Sequence, residues 1–407
     1  VGVDGSRSSC GQGGQIHALS ISLLEFMMST PTTASRPAKI VVVGAGPAGA
    51  TCALELRRHS GGEVLLLDSA HYPRRKVCGS GLSPSSLTQL EALDLLDGVR
   101  PLHLAMKGMR AIGPGGGEII LRGSKGAWVV PRTEFDHHLV QAAVAAGATL
   151  GEGTRVTGIL RDPSGDACGV QTRAGDIEAD LVVIATGSPS PFDLDDSPRE
   201  GIRTIMGWYE GRLPDQLGTM VWSTRLRGYY AWAFPEPGDV VNIGLTIRED
   251  DPAASHLREL FTEILAEHFA DYAAPGREIG RWAGHPATVT HRVGNLAAKR
   301  EILVGEAARL VCPGTVEGIS FAMQSGRIAA ATVQRTFSVG DGLPRLAQKR
   351  YQLDVAAQML PSFLAGEALY QAMRQPKLLQ GLARLIDPQT IAGGLTKLVG
   401  EVPLAAG

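Results

Sequence analysis

The chain has 407 residues and a formal net charge of −2, with 44% hydrophobic and 20% charged residues. That length suits two domains sharing a core, and no basic block is present to favour a nucleic-acid partner. The five cysteines, Cys10, Cys52, Cys78, Cys168 and Cys312, never form a CxxC pair, so they indicate neither a disulfide framework nor a metal site, and a cytoplasmic location is expected.

No apolar run reaches the ~18 residues needed to span a bilayer. Ile16–Met28 is mildly apolar but lacks a basic lead-in, and Glu25 interrupts it, so it makes a poor signal peptide. Residues 1–37 are rich in Gly, Ser and Thr and are expected to be a disordered leader, with Met28-Ser29-Thr30 as a natural start.

The apolar run Ile40–Val43 then leads into Gly44-Ala45-Gly46-Pro47-Ala48-Gly49, and Asp68 closes a second run, Val64–Leu67. Strand, glycine turn, helix, strand and acid in this order form a βαβ unit suited to a dinucleotide. Gly44 allows the sharp turn, Gly46 lets a pyrophosphate approach the backbone, and Gly49 lets helix and strand pack closely. The free N–H groups at the helix start face the phosphate charge. Asp68 stands where a carboxylate accepts the hydroxyls of a ribose.

Next comes the loop Arg75-Lys76-Val77-Cys78-Gly79-Ser80-Gly81-Leu82, whose glycines let a backbone lie flat against a ring system. Cys78 there is either a space-filler or a polarisable group beside such a ring. A helix is expected over 85–97, and a hairpin joins Met106–Ile112 to Glu118–Arg122 around Gly113–Gly117. Thr133 is expected to cap a helix running to Ala146. Arg132 just before it is either a pyrophosphate ligand or a surface cation. Strands follow at 155–160, 169–172 and 180–187, the last ending in Ala185-Thr186-Gly187.

Aromatic residues concentrate in 200–295, in alternating strand-like segments with one helix near 256–270. Tyr230, Trp232 and Phe234 share one face of a strand, as cavity lining or as ordinary inward residues of a sheet. A buried strand at 301–304 leads to Gly305-Glu306, a helix is expected over 318–337, and a helical tail over 345–398 is interrupted by Pro361, Pro376 and Pro388. An acid in the position of Glu306 can bond the ribityl hydroxyls of a flavin, and the helix start at Gly318 can stabilise negative charge on its ring.

The ordered set Gly44–Gly49, Lys76-Val77-Cys78-Gly79-Ser80-Gly81-Leu82-Ser83-Pro84, Tyr230-Ala231-Trp232-Ala233-Phe234-Pro235 and Pro313–Gly326 resembles the geranylgeranyl reductase family of FAD flavoproteins. The resemblance spans about residues 38–340. It implies the p-hydroxybenzoate-hydroxylase type of fold and the reduction of isolated double bonds in prenyl chains. By matched position it implies FAD contacts at Ala48, Asp68, Cys78, Gly79, Gly81, Arg132, Val156, Glu306, Gly318 and Ile319, in addition to the glycine turn. It also implies a prenyl cavity lined by Tyr230, Trp232 and Phe234. Cys78 is the candidate catalytic residue near the reacting carbon.

The chain departs from the family pattern at four positions. Arg227 stands where a Pro is usual, Ser80 where an acid or Gly is usual, and Glu306 where Asp is usual. Arg309 replaces a glycine, which is expected to put a cation near the flavin approach.

The resulting expectation is an α/β protein. A discontinuous Rossmann-like FAD-binding domain takes 38–105, 127–195 and 296–340; an inserted antiparallel-sheet substrate domain takes 106–126 and 196–295; a helical region takes 341–407. The activity expected is hydride transfer from reduced flavin to a C=C bond of a prenylated lipid or quinone. NADPH or a reduced protein would act as transient donor, and peripheral membrane contact would suit the substrate. Two other activities fit the same scaffold. One is a flavin monooxygenase or halogenase, although no single lysine can be assigned to the tunnel that halogenases need. The other is an electron-transfer flavoprotein, for which no iron–sulfur spacing is present.

Overall fold

The computed structural model describes residues 37–122 and 126–375; the leader expected before these residues and the tail positions Pro376 and Pro388 lie outside them. The described chain opens with β1 (Lys39–Val43), α1 (Pro47–His59) and β2 (Glu63–Leu67). β1 and β2 run parallel, with Val43 opposite Leu67. Both strands read as unbroken apolar runs because a parallel sheet is covered on both faces. The short β3 (Gly81–Leu82) precedes α2 (Pro84–Ala92) and α3 (Leu96–Val99). The single helix expected over 85–97 is therefore two. Asp94 sits between them in the left-handed region at φ 56°, which a continuous helix does not allow.

β4 (Leu104–Met106), β5 (Gly108–Ile112), β6 (Glu118–Leu121) and β7 (Ala127–Val129) follow, and β5–β6 is the expected hairpin, with Ile112 opposite Glu118. α4 (Arg132–Ala145) starts one residue before the expected cap. The Pro131 carbonyl accepts from the N–H groups of Glu134 and Phe135, so Pro131 is the cap residue and Thr133 already lies inside the helix.

The chain continues through β8 (Thr149–Gly151), β9 (Val156–Arg161), β10 (Ala167–Thr172), β11 (Gly175–Glu178) and β12 (Leu181–Ile184). It then forms β13 (Glu200–Glu210), β14 (Leu217–Val221), β15 (Ala231–Glu236), β16 (Val240–Arg248), α5 (Leu257–His268) and β17 (Ala283–Val289). β18 (Ala297–Ala298), β19 (Glu301–Leu303), α6 (Ile319–Thr336) and α7 (Arg345–Met373) complete the described elements.

One sheet has the order β18-β19-β12-β1-β2-β8, and a second the order β17-β13-β16-β15-β14-β5-β6. The second sheet is mixed, not wholly antiparallel as expected, because β14 runs parallel to β5 from Leu217 opposite Gly108 to Val221 opposite Ile112. The 108–121 hairpin is thus added to the 200–289 strands as an edge. Pro361 does not interrupt the C-terminal helix but lies inside α7. It occupies the exposed face, where water can satisfy the carbonyl that the missing N–H leaves free. Among the described residues no helix is long and apolar enough to cross a membrane.

The first core gathers β1, β2 and β12 with α1, α6 and α7, and the second gathers β13, β15 and β16 with α5. A large cavity is walled by the loops that follow β1, β2 and β12, by residues of the second sheet, by the cysteine loop and by the start of α6.

Candidate functional site

At one end of this cavity the glycine turn works as its spacing implies. Gly44 holds φ 103°, and a Cβ there would lie 2.3 Å from the Ala185 carbonyl oxygen. Gly49 has the packing role: its Cβ would lie 1.9 Å from the Gly44 oxygen, and it is not part of the cavity wall. Gly46 begins α1 with no side chain capping the helix, so the first amides are left for a ligand. Asp68 lines the cavity; its Oδ2 accepts from Ala45 N at 2.8 Å and its Oδ1 from Ala70 N at 2.9 Å.

A charged section follows. Arg132 donates to both oxygens of Asp136, at 2.7 and 2.9 Å, and Arg74 reaches Asp136 Oδ2 at 3.2 Å. Two cations thus share one fully buried carboxylate, and the surplus positive charge borders the cavity. Burial opposes the Arg132 charge, but Asp136 and Cys78 outweigh it and raise the pKa. Lys76 Nζ lies 2.5 Å from His285 Nε2, and His285 Nδ1 meets the Pro286 carbonyl. Those partners fix a neutral imidazole that donates through Nδ1 and accepts from Lys76. Burial, then the Arg132 charge, pushes Lys76 down to about 8, and burial with Lys76 pushes His285 down to about 4. Glu306 accepts from Thr288 N at 3.2 Å; burial raises its pKa against the pull of Lys76.

At the other end the cysteine loop meets the second sheet. Ser80, where the family pattern has an acid or Gly, holds φ 61°. A Cβ on Gly79 would lie 3.1 Å from Trp232 Nε1 and 3.3 Å from the Phe234 ring. The loop glycines therefore let the backbone lie against the protein's own aromatic wall. Trp232 Nε1 donates to Asn242 Oδ1 at 2.7 Å, and Asn242 Nδ2 donates to the Cys78 carbonyl at 3.5 Å. Tyr230 donates to the Thr315 carbonyl at 2.5 Å. Tyr230, Trp232 and Phe234 all line the cavity, as do Cys78, Gly79, Gly81, Gly318 and Ile319. Met106, Met109, Met206 and Met220 widen the apolar lining. Gly318 begins α6, and the carboxyl group of Glu317 just before it takes the Ser320 amide at 3.2 Å.

One expectation is corrected, at Arg309. Val156 starts β9, in a separate three-stranded sheet, and packs against the first core, outside the wall of this cavity. Arg309 is turned away from the cavity: it adopts φ 62°, and its guanidinium donates to Asp193 Oδ2 at 2.5 Å and to the Ser197 and Asp195 carbonyls. It adds no cation to the flavin approach. Conversely, Lys76 is a lysine in the cavity wall, which the sequence left unassigned. Lys76, His285, Asn242 and Glu317 escaped the sequence reading because fold contacts bring them together.

The open helix start at Gly46, the Asp68 carboxylate in the cavity wall, the surplus of cations and the second helix start at Gly318 fit a long dinucleotide with a pyrophosphate in its middle. The comparisons agree. Residues 37–331 match the family described as FAD binding domain. The menaquinone reductase of Mycobacterium tuberculosis is 30% identical over 322 residues, covering 72% of this chain and 76% of the relative. A digeranylgeranylglycerophospholipid reductase of Methanothrix thermoacetophila is 28% identical, covering 79% and 84%. The crystal structure of a geranylgeranyl bacteriochlorophyll reductase-like protein from Thermoplasma acidophilum shares the fold, with TM-score 0.74, 21% identity and coverage of 90% and 92%. The chain belongs to the FAD-binding domain family and, within it, to the geranylgeranyl reductase group of FAD-dependent oxidoreductases.

Proposed function

We propose that the protein reduces carbon–carbon double bonds in a prenyl chain carried by a lipid or a quinone. One observation carries the reading: a single cavity joins the nucleotide turn at Gly44–Gly46 to an apolar wall of Tyr230, Trp232, Phe234 and four methionines. Methionine side chains adapt to a flexible ligand, and each buried CH₂ of a prenyl chain contributes about 0.8 kcal/mol.

In this reading the amides of Gly46 and Ala48, with Arg132 and Lys76, hold the pyrophosphate, and Asp68 holds the adenosine ribose. Glu306 orients the ribityl chain, and the amides at Gly318 and Ile319 face the ring. Bound FAD, once reduced, supplies the hydride. The aromatic wall holds the chain and excludes water, while Asn242 fixes Trp232 against the Cys78 loop. Cys78 stands beside the reacting carbon. Electrons arrive from NADPH or a reduced protein that docks transiently. A cytoplasmic protein meeting its lipid substrate at the membrane surface suits Leu346, Leu353 and Leu364, exposed on α7 at spacings of 7 and 11 residues that keep them on one stripe.

The test is anaerobic. Reduced holoprotein mixed with geranylgeranyl lipid, diphosphate and menaquinone substrates is expected to give saturated chains by mass spectrometry. No saturation in any of them overturns the reading. Substrate-dependent oxygen uptake with hydroxylated or chlorinated product would replace it with a monooxygenase or halogenase.

A further inference from the structure

Saturating a C=C bond adds a hydride to one carbon and a proton to its neighbour, and a cavity that excludes water must supply that proton from a side chain. We propose that Glu317 is the catalytic acid that protonates the substrate carbon. The assignment rests on the reductase reading above, but the protonation state it requires can be measured without any substrate.

Asp68 is held by two backbone amides at the nucleotide end. Glu306, Lys76 and His285 belong to the charged section around Arg132. The Tyr230 hydroxyl already donates to the Thr315 carbonyl, and burial makes it a weaker acid still. Cys78 neighbours the Arg132 guanidinium. Glu317 alone among the cavity acids stands at the apolar end, immediately before the start of α6 and close enough to Tyr230 and Cys312 to influence both.

Its environment suits both halves of a proton transfer. Burial is the strongest influence and raises its pKa; the next are the hydroxyls of Ser320 and Ser83, and no lysine or arginine ranks with them. That favours the protonated form that the transfer needs. Oε1 accepts from Ser83 Oγ at 3.0 Å and from Ser320 N at 3.2 Å. Those donors, with the amides at the start of an 18-residue helix, stabilise the carboxylate left afterwards. In the step itself the Glu317 O–H bond breaks and a C–H bond forms next to the carbon that takes the hydride. The hydride's electron pair comes from the reduced flavin, and solvent returns a proton to Glu317 as product leaves.

Glu317→Gln keeps the volume and an acceptor for Ser83. It is expected to retain FAD, the visible spectrum and flavin reduction by dithionite, and to lose alkene reduction by about a hundredfold in kcat with little change in KM. Infrared spectroscopy of wild type at pH 7 should show a protonated-carboxyl C=O stretch that Glu317→Gln removes. Undiminished turnover, or a wild-type spectrum with Glu317 ionised, overturns the assignment. Ser83→Ala is the second variant: loss of one donor to the carboxylate should move the titration of that band to higher pH, and an unmoved midpoint counts against Glu317. A wild type that saturates no prenyl substrate fails the reductase reading, and the infrared band still decides the state of Glu317 separately.

Discussion

The two ends of the cavity are made in different ways. The nucleotide end is backbone: Gly44 is held at φ 103°, α1 starts uncapped at Gly46, and Asp68 is fixed by two amides. The apolar end is side chains, with methionines and aromatics delivered by β4, β5, β13, β14 and β15. Backbone geometry tolerates almost no substitution, whereas a methionine and aromatic lining can change shape while the sheet beneath it stays intact. The cofactor should therefore be hard to alter by mutation and the substrate easy.

The largest break expected is Gly44→Ala. It combines left-handed strain with a clash against Ala185 and should cost about 3 kcal/mol, read as a fall in denaturation midpoint with loss of flavin colour. A stable yellow variant would remove the contrast between the two ends. Next is Lys76→Met. Lys76 titrates at about 8 in the fold against 10.5 for an unperturbed lysine, so its charge destabilises the flavin-free protein fully below pH 8, and the cost disappears as pH rises to 10.5. The variant should be more stable than wild type by about 2 kcal/mol at pH 7 without FAD, with no gain above pH 10.5. It should also bind FAD more weakly below pH 8, where wild-type Lys76 is charged. Thermal melts with and without FAD at pH 6.5 and 9.5 measure both effects; a gain that grows with pH would have the wrong sign.

Asp68→Ala removes the acceptor of two amide bonds and, in the proposed reading, of the ribose. It should weaken FAD by about 1.5 kcal/mol, roughly tenfold, as measured by fluorescence titration. The smallest effect is expected at Tyr230→Phe, which loses only the bond to the Thr315 carbonyl. It should cost about 1 kcal/mol in stability and shift KM for a prenyl substrate while FAD affinity holds. A change in FAD affinity there would mean that the two ends are not independent.

The sequence exposed the nucleotide end because its parts are local: the turn, the helix start and Asp68 fall within one βαβ unit, where each residue type is required by the backbone. Much of the apolar end was hidden because strand register assembles it. Asn242 reaches the Cys78 carbonyl across 164 residues of chain, and in the charged section Lys76 meets His285 across 209. The parallel pairing of β14 with β5 leaves no local pattern either. Arg309 was misjudged for a conformational reason, since its left-handed backbone turns the side chain toward Asp193. Thr133 is a good capping residue, but the Pro131 carbonyl had already begun the helix.

α1 and α6 touch where Gly326 faces Ala48: a Cβ on Gly326 would lie 2.5 Å from the Ala48 carbonyl oxygen and 3.1 Å from Cys52 N. Each helix carries one of the two positively polarised starts, so this contact acts as a spacer bar that sets the gap between them. Any side chain at Gly326 would push the two poles apart, changing the length of molecule they can grip without altering a residue in the cavity wall.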